Sequence, residues 1–181
     1  MCKVWVTSDW HLGHVNCARW REKESGILTE DTHEEVIFDR YCEVVSNKDL
    51  VWFLGDIFFN KKWMNAFISL PGRKRLVLGN HDTERLYGSS ALMKASSLMS
   101  CFEQVHGLVK LKAAWLSHAP IHPSQLRDRY NIHGHVHNKC LDDQRYINVC
   151  LEQTNYYPVE YNILWNNRSY PPSFNQEIAM T

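Results

Sequence analysis

The sequence predicts an α/β fold in which two facing, mixed β-sheets form a sandwich core flanked by α-helices. Three observations lead to this fold class. Short apolar runs alternate with amphipathic stretches in the first half of the chain, short strand-like runs dominate the second half, and no repeat or low-complexity tract interrupts either. Alternating strands and helices favour an α/β sheet, and the later strands need a second sheet to pack against it.

The composition is that of one ordinary globular domain, assigned to residues 1–181 with an irregular tail from Asn166. Of the 181 residues 44% are hydrophobic, and 20 basic residues balance 20 acidic ones. This balance argues against an extended nucleic-acid-binding surface. The chain has no apolar run long enough for a membrane span and no signal-peptide core. Its 6 cysteines form no C-x-x-C pair, so we expect buried free thiols in a reducing cytoplasm.

The first elements are predicted from apolar runs and capping signals. Lys3–Thr7 is a short apolar run and predicts a buried strand. Thr32 and Glu35 have the spacing of a capping box, which predicts the start of an amphipathic helix. Leu50–Leu54 predicts a second buried strand. Further along the chain we expect helices over Lys61–Leu70 and Leu86–Ser100, and strands over Arg75–Leu78, Val105–Leu111, Ala113–Ser117, Asn131–His133, Tyr146–Cys150 and Val159–Leu164.

Side chains that can bind metal follow several of these strands directly. They are Asp9, Asp56, Asn80, His118 and His135. In α/β sheets, ligands gather outside the carboxyl ends of the strands. The position of these residues therefore predicts a shared site.

Two pairs of such residues are spaced two apart, Asp9 with His11 and His135 with His137. Alternate residues of an extended chain share a face, with Cα atoms about 6.5–7 Å apart. Two ions about 3.5–4 Å apart could then each take one ligand of a pair. Two dications this close repel by about 19 kcal/mol at an effective dielectric constant near 20, so bridging anions are needed. Asp56 fits that role, with a hydroxide as the second bridge.

The combination of motifs resembles the calcineurin-like metallophosphoesterase superfamily. The motifs, in order, are Asp9-x-His11, Gly55-Asp56, Gly79-Asn80-His81-Asp82, a lone His118, and Gly134-His135-x-His137. The segment from Ser8 to Asn16 is most similar to the small, cap-less enzymes of bacteria and their phages. Each motif alone would also fit an ordinary turn, and the ordered conjunction carries the resemblance.

The resemblance implies a binuclear metal centre. The first ion would be bound by Asp9, His11 and His137, and the second by Asn80, His118 and His135, with Asp56 bridging the two. Oxygen and imidazole ligands without thiolate favour Mn, Fe, Zn, Ni or Co, and the many imidazoles argue against Mg alone. Two divalent ions, manganese first among them, are the expected cofactors.

The resemblance further implies that His81 acts as a general acid or stabilises charge on the phosphate, with Asp82 orienting it. One departure is visible: many relatives continue Gly-Asp-x-x-Asp-Arg, whereas here Asp56 is followed by Ile57-Phe58-Phe59-Asn60. This departure weakens the case for substrate contacts of the protein-phosphatase type.

Candidate substrate contacts are His14, Asn16, His122 and Arg127. For His14 and Asn16 a role in ordering the loop is an equal alternative. His133 shares the alternating face of the last motif, and we expect it to be packed rather than to support a ligand.

These observations predict a metal-dependent phosphoesterase that hydrolyses a phosphate mono- or diester of a small molecule or nucleotide. The expected reaction is in-line attack by the metal-bridging hydroxide. The alternatives are a nuclease acting on nucleic-acid ends and a non-catalytic interaction module of the same fold. The expected location is the cytoplasm, that of the host if the chain is phage-encoded, and the sequence leaves the oligomeric state open.

Overall fold

Two mixed β-sheets form the centre of the protein, as predicted. The computed structural model describes residues 2–87 and 95–166. The strands are β1 (Val4–Thr7), β2 (Leu50–Phe53), β3 (Arg73–Val77), β4 (Gln104–His106), β5 (Val109–Leu111), β6 (Ala114–Ser117), β7 (Tyr130–His133), β8 (Tyr146–Asn148) and β9 (Val159–Glu160). One sheet has five strands in the order β4-β3-β2-β1-β9, and the other has four in the order β5-β6-β7-β8.

Each sheet has a parallel centre and one antiparallel edge. Strands β1 to β4 run parallel to their neighbours, while β9 pairs with β1 in the antiparallel direction. Strands β6, β7 and β8 are parallel, and β5 is antiparallel to β6. The parallel arrangement brings the carboxyl ends of β1, β2 and β3 to one edge, and likewise those of β6 and β7.

Helices flank the sheets, and apolar side chains of several of them pack on the outer face of the first sheet. They are α1 (Val15–Ser25), α2 (His33–Val44), α3 (Met64–Ser69), α4 (Asn80–Tyr87), α5 (Ala95–Met99) and α6 (Tyr161–Asn166), with short 3-10 turns at Lys61–Trp63, Pro123–Gln125 and Leu151–Gln153. None of the helices in the described ranges is long and apolar enough to cross a membrane.

Alternate residues of the central strands enter two separate cores. Val51 and Phe53 of β2 pack towards the helices, whereas Trp52 between them packs with Leu116 of β6 and Ile132 of β7. Because successive side chains of a strand point to opposite faces, both faces of this strand are buried. This double burial explains the continuous apolar runs in the sequence and confirms that the two sheets face each other.

Helix α1 was not predicted, because its buried face lacks an apolar stripe. That face consists of Cys17, Ala18 and Arg21. A buried arginine interrupts the period of 3.6 on which helix prediction depends. His14 caps the helix, since its Nδ1 accepts a hydrogen bond from the Cys17 N–H at 3.1 Å.

The predicted capping box at Thr32 is wrong, although α2 does begin there. The Thr32 side chain makes no capping hydrogen bond to the helix. Its Oγ1 instead accepts from the backbone N–H of Thr29 at 2.9 Å. The hydroxyl is therefore turned towards the preceding turn and not towards the first turn of the helix.

Two predicted strands are divided in the structure. The run Val105–Leu111 contains the end of β4 and all of β5, which belong to different sheets. The run Val159–Leu164 is strand only at Val159–Glu160 and continues as α6. The helix predicted over Leu86–Ser100 lies partly outside the described residues, as does the tail after 166. All six cysteines are free, but Cys2, Cys42 and Cys140 are exposed rather than buried.

Candidate metal centre

Five strands deliver the predicted metal ligands to one place between the sheets. Asp9, Asp56 and Asn80 follow β1, β2 and β3 of the first sheet. His118 follows β6 of the second sheet, and His135 follows β7. The loops after β1 and β2 are joined directly, because the N–H groups of Asp9 and His11 donate to the carbonyls of Gly55 and Asp56.

The side chains form two ligand groups that share one residue. The first comprises Asp9, His11 and His137, and the second comprises Asp9, Asp56 and His118; within each group the ligand atoms lie within 4.8 Å of one another. Asp9 Oδ1 lies 3.5 Å from His11 Nε2 and 3.9 Å from His137 Nε2. The arrangement therefore directs carboxylate and imidazole atoms towards common points.

Asp56 lies between two imidazoles. Its Oδ2 is 3.9 Å from His11 Nε2 and 3.3 Å from His118 Nε2. Its other oxygen, Oδ1, accepts a hydrogen bond from the backbone N–H of His81 at 2.9 Å. One oxygen is thus anchored, and the other faces ligands of both groups.

Asp9 is oriented in the same way. Its Oδ2 accepts from Ser8 Oγ at 2.6 Å, from the His135 N–H at 2.8 Å and from Cys150 Sγ at 3.2 Å. These donors saturate one oxygen, while Oδ1 is buried without a hydrogen-bond partner. Sequence reasoning did not identify Cys150, although it comes at the end of a predicted strand.

Asn80 and His135 complete the second group. Asn80 Oδ1 lies 2.9 Å from His118 Nε2, and His135 Nδ1 lies 3.2 Å from the same nitrogen. The other nitrogen of His118, Nδ1, donates to the Leu54 carbonyl at 2.7 Å. This hydrogen bond fixes the ring so that Nε2 faces the centre.

The ligands converge through left-handed backbone and not through an extended strand, which corrects the reasoning from alternate residues. Strand β1 ends at Thr7, and Asp9 and His11 have φ angles of 59° and 53°. The same holds for Asp56, His135 and His137, with φ angles of 57°, 72° and 52°. Such residues cost about 1–3 kcal/mol each and cluster at functional sites.

Trp10 anchors the loop that carries Asp9 and His11. Its side chain is fully buried, with its ring 5.1 Å from that of Phe53 and 5.4 Å from that of Tyr41. Its Nε1 donates to Thr7 Oγ1 at 2.8 Å. Burial of this indole fixes the loop, so the residues on either side of it are held towards the centre.

Gly55 allows three strand ends to approach one another. It has a φ of 94°, and an added Cβ would lie 2.6 Å from the Gly79 Cα and from His118 Nδ1. Real Cβ atoms are essentially never found at such distances, so a side chain here would separate the loops. The Gly-Asp motif therefore requires glycine at this position on steric grounds.

Of the two histidines His11 and His118, only His11 has a pKa that leaves it neutral and ready to bind metal at neutral pH. Burial lowers the pKa of His11 to about 4, although Asp9 and Asp56 oppose the shift, so this ring is neutral. Burial also disfavours charge on His118, but the carboxylates of Asp56 and Asp9 outweigh it and raise its pKa to about 9. A metal ligand must be deprotonated, so metal binding would displace the His118 proton.

The residues present fit divalent metal ions. Asp9 Oδ1 and His11 Nε2 are buried and lack hydrogen-bond partners in the described part of the chain. Orphaned buried polar atoms are rare and need an explanation such as an unplaced ion. Their donor chemistry, carboxylate oxygen with imidazole nitrogen, suits transition-metal ions.

His81 lies beside the ligands at the start of α4. Its ring centroid is 6.1 Å from that of His11 and 5.0 Å from that of Phe59. Phe59 also stacks on His11, with centroids 4.7 Å apart and an interplanar angle of 16°. This phenylalanine, in the segment that departs from the usual family motif, forms an apolar wall of the site.

Asp82 contacts backbone N–H groups of two loops. Its Oδ2 accepts from Asp56 and from Gly79, each at 2.9 Å, and its Oδ1 accepts from Ile57 at 3.2 Å. These contacts indicate a residue that positions the loops carrying Asp56 and Asn80. The predicted orientation of the His81 ring by Asp82 stays a prediction.

The candidate substrate contacts have different surroundings. His14 caps α1, which supports the loop-ordering alternative, and its ring lies 4.3 Å from that of Phe59. Asn16 is exposed on the first turn of α1. His122 and Arg127 are exposed between β6 and β7, and His122 Nδ1 accepts from the Ser124 N–H at 3.3 Å. Their substrate roles stay predictions. His133 is 1% exposed and packed, as expected.

Comparison with known proteins identifies the chain. The family model described as calcineurin-like phosphoesterase matches residues 2–179. The chain belongs to this family. Its relatives include the Gene 66 protein of Mycobacterium phage L5, 31% identical over 78% of this chain and 80% of that protein. An uncharacterized protein of Methanocaldococcus jannaschii is 26% identical over 91% of this chain and 90% of that one.

A solved structure supports the fold. A protein of unknown function from Aquifex aeolicus superimposes with a TM-score of 0.68 at 24% identity, covering 92% of this chain and 99% of that one. The calcineurin-like phosphoesterase has relatives of similar size in a phage and an archaeon, which agrees with the small type indicated by the segment from Ser8 to Asn16. Hydrolase chemistry on phosphoester bonds and metal-binding residues are therefore properties of this chain's family and site.

Proposed function

We propose that this chain is a binuclear metal-dependent phosphoesterase that hydrolyses a phosphate mono- or diester of a small molecule or nucleotide. Two divalent ions, with manganese as the first choice, would be its cofactors. The observation that carries the proposal is that Asp9 belongs to both ligand groups. Two ligand groups that have a residue in common lie side by side, as a binuclear centre requires.

The residues that would hold the ions are those that the family resemblance implies, and the geometry supports the assignment. Asp9, His11 and His137 would hold one ion, and Asn80, His118 and His135 the other. Asp56 supports a bridging role because its Oδ2 lies between His11 and His118. When bound, such ions lower the pKa of a coordinated water and neutralise charge on the phosphoryl group.

The chain's own residues would supply the remaining steps. His81 would give a proton to the departing oxygen, a step that contributes about 10²–10⁴-fold in rate. Its backbone N–H donates to Asp56 Oδ1, so its position is fixed relative to the bridging carboxylate. Phe59 covers one face of His11 and keeps water from that side of the ring.

A small substrate is favoured by the charge balance, because 20 basic and 20 acidic residues leave no excess for gripping a long polyanion. Within this proposal His14, Asn16, His122 and Arg127 are the candidate contacts for the substrate. A cytoplasmic location, that of the host if the chain is phage-encoded, fits the six free cysteines.

The test compares substrates on the manganese-loaded protein. Phosphomonoesters, nucleotides, bis-p-nitrophenyl phosphate and a labelled oligonucleotide are assayed side by side. Turnover of the small esters is expected. Degradation of the oligonucleotide alone would favour the nuclease alternative, and no turnover of any ester would favour a non-catalytic module.

The role of His81 is tested with a matched histidine. His81→Ala should retain both metal ions and lose turnover by about 10²–10⁴-fold. His106→Ala is the control. The ring of His106, on β4, packs on that of Trp52 with centroids 5.5 Å apart and takes no part in the centre. Unchanged turnover in His81→Ala would remove this residue from the mechanism.

A further inference from the structure

A buried arginine and glutamate lie directly behind the metal-facing side chains. The Arg21 side chain on α1 is 0% exposed and that of Glu152 is 7% exposed. Arg21 Nε and Nη2 lie 2.8 Å and 2.7 Å from Glu152 Oε1. A buried ion pair adds little net stability on average, because both charges must be desolvated. The other contacts of Arg21 and Glu152 therefore matter more than the ion pair itself.

Glu152 contacts one ligand of the first group. Its Oε1 also accepts from His137 Nδ1 at 3.0 Å. The proton is thereby held on Nδ1, so Nε2 is the nitrogen that faces Asp9 Oδ1, 3.9 Å away. A carboxylate on the outer nitrogen of a metal-binding histidine fixes its tautomer and ring orientation and makes it more basic.

Arg21 contacts the backbone of another ligand in the same group. Its Nη2 donates to the Asp9 carbonyl at 2.6 Å, and its Nη1 donates to the Trp10 carbonyl at 3.1 Å. Asp9 has a left-handed backbone with a φ of 59°, and such a conformation persists only where its surroundings enforce it. The guanidinium, a rigid planar donor, meets this requirement.

The arginine is itself held by α2. Its Nη1 lies 2.8 Å from His33 Nε2, and since a guanidinium only donates, this nitrogen accepts. The neighbouring Glu34 accepts from the Gly13 N–H at 2.6 Å. The first residues of α2 thus support both the arginine and the loop that follows His11.

We propose that Arg21 and Glu152 are positioning residues that set the geometry of the metal site formed by Asp9, His11 and His137. The pair links a ligand after β1 of the five-stranded sheet with a ligand after β7 of the four-stranded sheet. In the second group only Asp9 contacts the pair, through its backbone carbonyl, whereas His118 is fixed by the Leu54 carbonyl. The inference rests on the proposed function only in taking these side chains to bind metal.

The test is a titration of the metal-free protein with manganese, in which calorimetry and electron paramagnetic resonance measure the binding of each ion. Glu152→Gln should lower the affinity for one of the two ions by about 10- to 100-fold and leave the affinity for the other nearly unchanged. Glu160→Gln is the matched control, because Glu160 pairs with Lys3 at 2.9 Å and takes no part in the centre. Wild-type affinity for both ions in Glu152→Gln would overturn the proposal.

A double variant keeps the test valid if Glu152→Gln alone fails to fold. Glu152→Gln alone leaves the Arg21 charge buried, whereas Arg21→Leu combined with Glu152→Gln removes both charges and is expected to fold. The folded double variant should lose affinity for the ion held by Asp9, His11 and His137 at least as strongly as Glu152→Gln does. Two ions bound with original affinity by this variant would also overturn the proposal.

A spectroscopic measurement separates positioning from bulk stability. The ¹⁵N shifts of histidine side chains in the metal-free protein at alkaline pH report the tautomer of His137. The Nδ1–H form is expected in the original protein and a mixture in Glu152→Gln, whereas an unchanged tautomer would contradict the proposal. If the protein binds two ions but hydrolyses no ester, the proposed function fails while this inference stands.

Discussion

The carboxylate of Asp82 accepts a hydrogen bond from the backbone N–H of Asp56 at 2.9 Å, across 26 positions of the chain. The same oxygen accepts from the Gly79 N–H, so one side chain joins the loops after β2 and β3. The other oxygen accepts from the Ile57 N–H at 3.2 Å, so Asp82→Asn should lose the contacts of one oxygen, because an amide offers a single acceptor oxygen. The variant should be destabilised by about 1–3 kcal/mol.

Urea unfolding and metal content measured on the same preparation check this expectation. If Asp82 positions the loops, metal occupancy and turnover should fall together. Full occupancy of both ions with turnover lost would instead assign Asp82 a direct role in the reaction.

Gly134 offers a steric test of the site. A Cβ on this residue would overlap Ser8 Oγ and Asp9 Oδ2, and would lie 2.7 Å from Ser8 Cβ. Overpacking of this kind costs about 1–3 kcal/mol, and here it would also displace Asp9. We therefore expect Gly134→Ala to lower both the unfolding free energy and the affinity for manganese.

Gly107→Ala is the control for this substitution, because nothing lies within 4 Å of the added Cβ. Its stability should stay within about 0.5 kcal/mol of the original. Equal behaviour of the two alanine variants in thermal unfolding and metal titration would show that the approach of Gly134 to Asp9 is not required.

The lowered pKa of Asp49 predicts how the stability of the protein depends on pH. Its side chain is 2% exposed and accepts from the N–H groups of Lys3 and Ser46, at 2.8 Å and 2.9 Å. Burial opposes the charge, but these hydrogen bonds outweigh it and lower the pKa of Asp49 to about 2. Because the folded pKa lies below the unfolded value near 4, the stabilisation is complete above pH 4 and is lost as the pH falls through 2.

Asp49→Asn should remove this dependence and lower stability at neutral pH by about 1–3 kcal/mol. Denaturant unfolding as a function of pH measures both effects. Asp31→Asn is the control, since Asp31 is exposed. If the unfolding free energy of Asp49→Asn fell at acidic pH in the same way as that of the original protein, other carboxylates would set the acid sensitivity.

The ends of the strands were the most predictable part of the fold. Apolar runs such as Leu50–Leu54 identify buried strands, and polar residues at their ends identify the edge where ligands meet. The change of sheet after β4 was not predictable, because Gly107 and Leu108 interrupt an otherwise strand-like run by only two residues. Pairing partners depend on tertiary contacts that local pattern does not contain.

The candidate ligands were visible in the sequence, but the groups that orient them were not. Asp9 and His135 belong to motifs with recognisable spacing, whereas Arg21 and Glu152 are separated by 131 positions and belong to no motif. A buried arginine looks like a surface residue in sequence, since arginine is almost never fully buried unless paired. Its partner is known only once the chain is folded.

The metal centre joins two ends of a long stretch of polypeptide, because the His135 N–H donates to Asp9 Oδ2 across 126 positions. During synthesis the ribosome must therefore release most of the chain before a cation can be captured. Closing so large a loop is entropically costly, and docking of the two sheets has to compensate for it. Ion uptake would then report complete folding, and a truncated translation product ending before His135 would be unable to form the assembled pair of sites.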